Sequence, residues 1–306
     1  DRALHGLVSR IFEEAGWEVS AAEDGLAACE RAAELRPDVI LLDLHMPLLD
    51  GAGLIGRLRR DARFAMTPII VISGDADPRR KAEGFGVGAD DFITKPFDAA
   101  DLLNRVDAAA RRCRRMLAAN PLTLLPGGPA IEEEAARRIK TGEGLAFLYV
   151  DIDNFKAFND SYGYLNGDNA IKMTGALLAS VQQEFPDGDI FVGHVGGDDF
   201  VLMARHSFAD AIAAEVMLRF DARAPELYTA ADRARGYIVS RDRAGAERRF
   251  PLMTLSIAAA TNERRELGHY AKIVDIASEI KKYLKGRRGR AGSAYLKDRR
   301  TDAAGG

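Results

Sequence analysis

The sequence predicts two successive domains, the first a doubly wound parallel α/β sheet and the second an α+β domain with an antiparallel sheet. Three observations predict this. The chain has 306 residues, and at about 150 residues per domain that length suits two cores rather than one. Within the first hundred residues, three short aliphatic runs are each followed by a turn cluster and a helical pattern, as parallel βαβ units require. After residue 120 the order changes to strand, helices and then hairpins.

Taken in order, Leu4, Leu7, Val8, Ile11 and Phe12 recur at helical spacing and stop at Gly16. Residues 39–42, entered from Pro37-Asp38, form the first β-branched and aliphatic run. The second is 69–72, opened by Pro68, and a weaker third is Phe92-Ile93 before Lys95-Pro96. Helical patterns follow over 53–60, over 79–85 and from Ala99 onward. Residues 98–119 read as one helix with Leu102, Val106, Ala109, Cys113 and Met116 or Leu117 on one stripe. That is longer than its own sheet needs, so the segment is either a solvated connector or a stalk that pairs with a second copy as a short coiled coil.

A new domain opens at Asn120-Pro121. Its pattern gives a helix near 129–141, a strand over 145–150 running into Asp151-Ile152-Asp153, and helices over 154–160 and 166–184. Residues 190–195 and 200–204 flank Gly196-Gly197-Asp198-Asp199 as a hairpin with a glycine turn. Residues 237–240 and 249–259 flank the turn at 242–245 as a second hairpin, and the helices are expected on one face of the sheet. The resulting divisions are 1–105, a helical linker over 98–119, 120–300, and a tail over 301–306.

Composition excludes several classes of function. Lys plus Arg number 43 against 46 Asp plus Glu, a net charge of −3, so no global field favours nucleic acid or an anionic membrane. Hydrophobic residues at 47% and charged residues at 29% are globular values that argue against disorder. Cys29 and Cys113 are far apart and neither sits in a metal-binding or disulfide pattern, which points to a reducing cytoplasm. No apolar run approaches 18 residues, so no membrane span is expected.

In the first domain, Asp43, Ser73 and Lys95 each stand at the end of a strand-like run. A parallel doubly wound sheet gathers such positions into one crevice. There a carboxylate could accept a phosphoryl group whose oxygens the hydroxyl and the ammonium bind. With Met46-Pro47, Asp50-Gly51, Ser73-Gly74, Phe92 and Lys95-Pro96, residues 1–105 resemble a response-regulator receiver domain. The resemblance implies a flavodoxin-like fold, Asp43 as phosphoacceptor, Ser73 and Lys95 at the phosphoryl site, and a cognate histidine kinase. Receiver domains begin with a strand ending in paired Mg2+-binding acids, whereas this sequence starts in the first helical pattern. The first strand is therefore missing, and a truncation is expected.

In the second domain, Asp151 ends an apolar strand while Asp198 and Asp199 sit on the glycine hairpin. Three carboxylates brought together need a hard cation, and oxygen-only ligation suits Mg2+. The motifs Asn120-Pro121-Leu122-Thr123, Asp151-Ile152-Asp153-Asn154-Phe155-Lys156, Asn159-Asp160, Tyr162-Gly163-Tyr164, Gly167-Asp168 and Gly196-Gly197-Asp198-Asp199-Phe200 together resemble the GGDEF family of diguanylate cyclases.

That resemblance implies an α+β sheet like the nucleotide cyclase palm, and synthesis of cyclic di-GMP from two GTP by a homodimer. It also implies metal binding by Asp151, the carbonyl of Ile152 and Asp199, with Asp198 as ligand or general base. Asn159 and Asp168 would read guanine, Lys156 and Lys285 would neutralise the triphosphate, and Gly197 would let the backbone approach a phosphate. Lys281, Lys282, Arg287, Arg288 and Arg290 crowd Lys285 and are expected mostly to face water.

Three positions depart from the family pattern. Asp199 stands where the family has Glu, the arginine of the inhibitory motif is absent from 184–189, and 205–250 is longer than usual. The first departure motivates a second reading, a catalytically weak receptor for GTP or the dinucleotide. A scaffold for protein interaction is a third.

Overall fold

The computed structural model describes residues 2–44, 50–74, 86–241, 246–286 and 292–301. Met46-Pro47, the helical pattern over 79–85, the turn over 242–245, the arginines at 287, 288 and 290, and tail residues 302–306 lie outside the described residues. The chain divides into two compact units, Asp1–Leu117 and Ala118–Gly306.

The first unit contains α1 (Arg2–Glu14), α2 (Gly25–Leu35), β1 (Ile40–Asp43), α3 (Gly51–Arg60), β2 (Ile69–Ser73), β3 (Asp91–Thr94) and α4 (Ala99–Ala118). Among the described residues the strands form a parallel sheet in the order β1-β2-β3. The register pairs Asp43 with Ile72 and Ser73 with Thr94, so the C-terminal ends lie side by side. β2 is buried along its whole length because helices cover both faces, which is why it reads as an unbroken apolar run.

Carboxylates cap three of the helices. Asp24 accepts from the amides of Leu26 and Ala27, Asp50 from Gly53, and Asp98 from Ala100 and Asp101, each at 2.8–3.0 Å. The Asp24 cap and an alanine-rich register make α2, a helix the sequence patterning did not single out.

Helix α4 divides the stripe read over 98–119 between two environments. Leu102, Val106 and Ala109 are buried with Ile70, Ile72 and Ile93 in the core of the first unit, and the Cys113 thiol donates to the carbonyl of Met66. Only the last turns leave apolar side chains in water, with Met116 and Leu117 about two-thirds exposed. Leu102→Ala is therefore expected to destabilise the first unit by about 2–5 kcal/mol, whereas Leu117→Ala should stay within about 0.5 kcal/mol. The protein's lone tryptophan, Trp17, packs edge-on against Phe12 and donates to Asp107 of α4. Its fluorescence during urea unfolding is thus a local readout for both variants.

The second unit runs α5 (Gly128–Thr141), β4 (Ala146–Asp153), α6 (Phe155–Tyr162), α7 (Tyr164–Val181), β5 (Phe191–Gly196), β6 (Asp199–Ala204), α8 (Ala209–Arg223), α9 (Ala230–Arg235), β7 (Tyr237–Arg241), β8 (Glu247–Pro251), β9 (Thr254–Thr261), α10 (Tyr270–Gly286) and β10 (Ala294–Lys297). Its main sheet has the order β10-β9-β4-β6-β5, antiparallel except that β10 lies parallel to β9.

Two expectations are corrected here. Residues 249–259 are not one strand: β8 pairs with β7 in a separate ribbon, and after Leu252-Met253 the chain enters the main sheet as β9. Helices also cover both faces rather than one. The alternation along β4 sends Leu148, Val150 and Ile152 into a core with α7 and α8, and Phe147 into a second core with α5 and α10. The two-faced burial explains why β4 carries an uninterrupted apolar run before its acids.

Candidate active site

In the first unit, Asp43, Ser73 and Lys95 stand at or just beyond neighbouring strand ends. The Lys95 ammonium lies 2.6 Å from Asp43 Oδ2, and Ser73 is buried at the end of the intervening strand. The Ser73 carbonyl accepts from the Lys95 amide at 2.8 Å, which fixes where the lysine leaves the sheet.

In the second unit, the period of two along β4 sends Asp151 to the same face as Phe147 and Tyr149, under helix α10. Asp151 pairs in register with Asp199 at the start of β6, and beyond that pair the Ile152 amide donates to the carbonyl of Asp198 at 3.2 Å. The strand end and the hairpin are thereby stitched together. One oxygen from each of Asp151, Asp198 and Asp199 falls within a 4.8 Å cluster. Gly196 and Gly197 take φ of +145° and +58°, values that let the hairpin turn there without strain.

Helix α10 places Lys281 and Lys285 one turn apart over this cluster. Lys281 Nζ lies 2.7 Å from Asp151 Oδ1 and 2.5 Å from Asp199 Oδ1, and Lys285 Nζ lies 2.6 Å from Asp151 Oδ2. Burial pushes the Asp151 carboxyl up, but its hydrogen bonds with the two lysines outweigh that and hold it below the ordinary range. Burial raises Asp198, helped by the charge of Asp151, and burial likewise raises Asp199 against the pull of Lys281. The Tyr149 phenol beside them is pushed up to about 12, first by burial and then by Asp199. One carboxylate thus stays ionised while two neighbours hold protons more tightly, an arrangement suited to a cation or to proton transfer.

The remaining candidates lie on α6 and α7, which follow β4 directly. Asn154, in the left-handed region, turns the chain into α6. Asn159 Oδ1 is buried without a hydrogen-bond partner among the described residues. A Cβ at Gly167 would come within 1.8 Å of that oxygen, so glycine is what lets the amide lie against α7. Asp168, next to it, is half-buried, while Lys156 is exposed on the first turn of α6. The structure therefore gathers Asp151, Asp198, Asp199 and Lys285. It sets Asn159 beside Gly167 in the first turn of α7, with Asp168 next in sequence, and it leaves Lys156 on an exposed face.

Two residues with clear roles in the site's architecture were not singled out by the sequence. Lys281 was grouped with the solvated basic run, although its spacing of four from Lys285 is the signal for a shared helix face. His194 is buried beneath the glycine turn. Its Nε2 donates to the Gly197 carbonyl at 3.1 Å, its Nδ1 lies 2.9 Å from the Thr123 hydroxyl, and its ring stacks on Phe200.

Comparison with known proteins agrees with both halves. Residues 1–107 match the response regulator receiver domain family, and residues 118–239 match the family described as diguanylate cyclase, GGDEF domain. The DNA-binding dual master transcriptional regulator RpaA of Synechocystis is 42% identical over 135 residues, covering 41% of this chain and 56% of that protein. The transcriptional regulatory protein PrrA of Mycobacterium leprae is 32% identical over 201 residues, 64% of this chain and 82% of its own length. Among solved structures, the coiled coil and GGDEF domain of DgcB from Caulobacter crescentus, in complex with c-di-GMP, is 20% identical with a TM-score of 0.46. It covers 65% of this chain and 96% of that one. The receiver domain of Francisella response regulator 1452 is 35% identical with a TM-score of 0.35, over 37% and 91%. The chain belongs to the response regulators, and it joins a receiver domain to a GGDEF domain of the diguanylate cyclase type.

Proposed function

We propose that the second unit condenses two GTP into cyclic di-GMP with release of two pyrophosphates, under control of Asp43 phosphorylation in the first unit. The observation that carries this reading is the convergence of Asp151, Asp198 and Asp199 at one sheet end. The 3′-oxygen of one GTP attacks the α-phosphorus of the other, the bond to pyrophosphate breaks, and the hydroxyl proton passes to Asp198. A second, reciprocal attack closes the ring. The raised proton affinity of Asp198 suits a base better than an ordinary carboxylate would.

The donor set is all oxygen and strongly anionic, which fits Mg2+. Asp151, the Ile152 carbonyl and Asp199 would hold it, and when bound it supplies charge stabilisation at the reacting phosphate and activates the hydroxyl. Asn159 and Asp168 bind the guanine edge, the carboxylate accepting from the guanine N1 and N2 hydrogens and the amide matching its acceptors. Lys156 and Lys285 meet the triphosphate, and Gly197, without a side chain, admits it close to the backbone.

The second unit of each chain holds one GTP, so the reaction needs a homodimer with two sites facing across a two-fold axis. The exposed Met116 and Leu117 at the end of α4 offer apolar surface for that pairing. A cognate histidine kinase supplies the phosphoryl group. Among the described residues no helix is long and apolar enough to cross a membrane.

Incubating the purified chain with GTP and Mg2+ and resolving the products by chromatography tests the reaction. Cyclic di-GMP is expected. Bound nucleotide without turnover would support the receptor reading instead, which the Lys281 bridge across Asp151 and Asp199 favours. Asp199→Glu separates the two. The Asp199 oxygen already reaches Lys281 at 2.5 Å, so a longer side chain crowds the site, and the rate should be flat or lower. A large gain at saturating Mg2+ would show that the wild-type site is short of a ligand.

A further inference from the structure

Lys281 has three partners around one ammonium. Two are carboxylate oxygens on adjacent paired strands, and the third is the Tyr149 ring, whose centroid lies 4.6 Å from Nζ. An ammonium carries three donors, and an aromatic face is attractive to a cation. The side chain is half-buried, one-fifth exposed, and flanked on its helix by the buried Ile280 and Leu284, whereas Lys282 next to it points to water. Asp151 is almost fully buried, so its charge needs a permanent counter-ion in the resting protein. The ammonium groups of Lys281 and Lys285 stand against the three carboxyl side chains of the cluster. Lys281 stands between Asp151 and Asp199, the two side chains expected to share a divalent ion.

We propose that Lys281 is a resident cation of the carboxylate cluster: its ammonium bridges Asp151 and Asp199 in place of one divalent ion, and incoming metal must compete with it. The protein's affinity for Mg2+ or Mn2+ is then set by a residue of its own chain, and the site keeps its shape without metal. The inference rests on the cluster being the metal site of the proposed reaction. It adds a positioning residue to that site, distinct from Lys285, whose ammonium meets Asp151 Oδ2 alone among the cluster's oxygens in the ion pairs of the described residues.

The test is a titration of the full chain with Mn2+ and no nucleotide, counting free ion by electron paramagnetic resonance. Binding elsewhere on the chain is measured on Asp151→Asn and subtracted. Lys281→Met is expected to bind Mn2+ at least tenfold more tightly than wild type at this site, while Lys282→Met stays within twofold. Equal or weaker binding by Lys281→Met overturns the proposal, as does equal tightening by both variants, which would mark a general charge effect. Should Lys281→Met unfold without metal, the proposal expects Mn2+ to restore its circular dichroism, because a cation is what the variant lacks. A variant that stays unfolded in Mn2+ would show that Lys281 only packs. No cyclase turnover enters these readouts, so an inactive enzyme would count against the proposed reaction and leave this result standing.

Discussion

Asp198→Ala is expected to abolish cyclic di-GMP formation, with a rate on the order of 10³-fold or more below wild type, while the chain stays folded. The loss follows from removing both a cluster oxygen and the group placed to take the hydroxyl proton. Stability should move the other way. In the metal-free folded protein, burial and the Asp151 charge raise the Asp198 pKa above its unfolded value. Folding therefore favours the protonated form, and the stability this lends is present below the unfolded pKa and is lost as pH rises through the folded one. At neutral pH the ionised carboxylate costs stability that the alanine variant does not pay. The variant should melt at or above the wild-type temperature at pH 7, and its relative advantage should shrink toward pH 3. Unchanged turnover would remove Asp198 from the mechanism.

The largest expected loss of stability comes from Phe158→Ala, about 3–5 kcal/mol. Phe158 is fully buried, stacks on Tyr162 at 4.9 Å and meets the edge of Tyr228 at 5.0 Å. Tyr162 and Tyr228 touch each other as well, so the cavity would open inside a closed ring cluster. Asn159 is the next residue on α6, and loosening that helix should also weaken GTP binding. Urea unfolding followed by far-ultraviolet circular dichroism should show the early loss of the second unit. The Trp17 fluorescence transition, which belongs to the first unit, should not move.

Much of this was legible in the sequence because the informative residues sit where strand periodicity changes to turn chemistry. Asp43, Ser73 and Lys95 end three apolar runs, and Asp151 and the Gly196-Gly197 hairpin end two others. Each placement follows from a pattern a few residues long. Lys281 was not legible in the same way. Its environment is made by β4 and β6, more than eighty residues away in the chain, and in sequence it is one lysine in a basic run. Asn159 shows the same limit, since the need for glycine at 167 is visible only once α6 and α7 lie together. The break between β8 and β9 was hidden because Leu252-Met253 continues the apolar pattern, and only the pairing shows that the chain changes sheets there. The burial of the α4 stripe was hidden for a similar reason, since a stripe that faces its own sheet and one that faces a partner have the same spacing.

His194 has a spectroscopic consequence. A carbonyl can only accept, so Nε2 must carry the proton it donates to Gly197, and burial holds the ring below its ordinary pKa. Nδ1 is then an unprotonated acceptor for the Thr123 hydroxyl. The imidazole is locked in a single neutral tautomer, with an N–H sheltered from water beneath the glycine turn. The chain has only five histidines, so nitrogen-15 labelling should resolve this ring as one whose two nitrogen shifts lie far apart and converge only at a lower pH than for an ordinary imidazole. Movement of that resonance on adding nucleotide or metal would be a direct record of the hairpin shifting, obtained from an atom that takes no part in the chemistry.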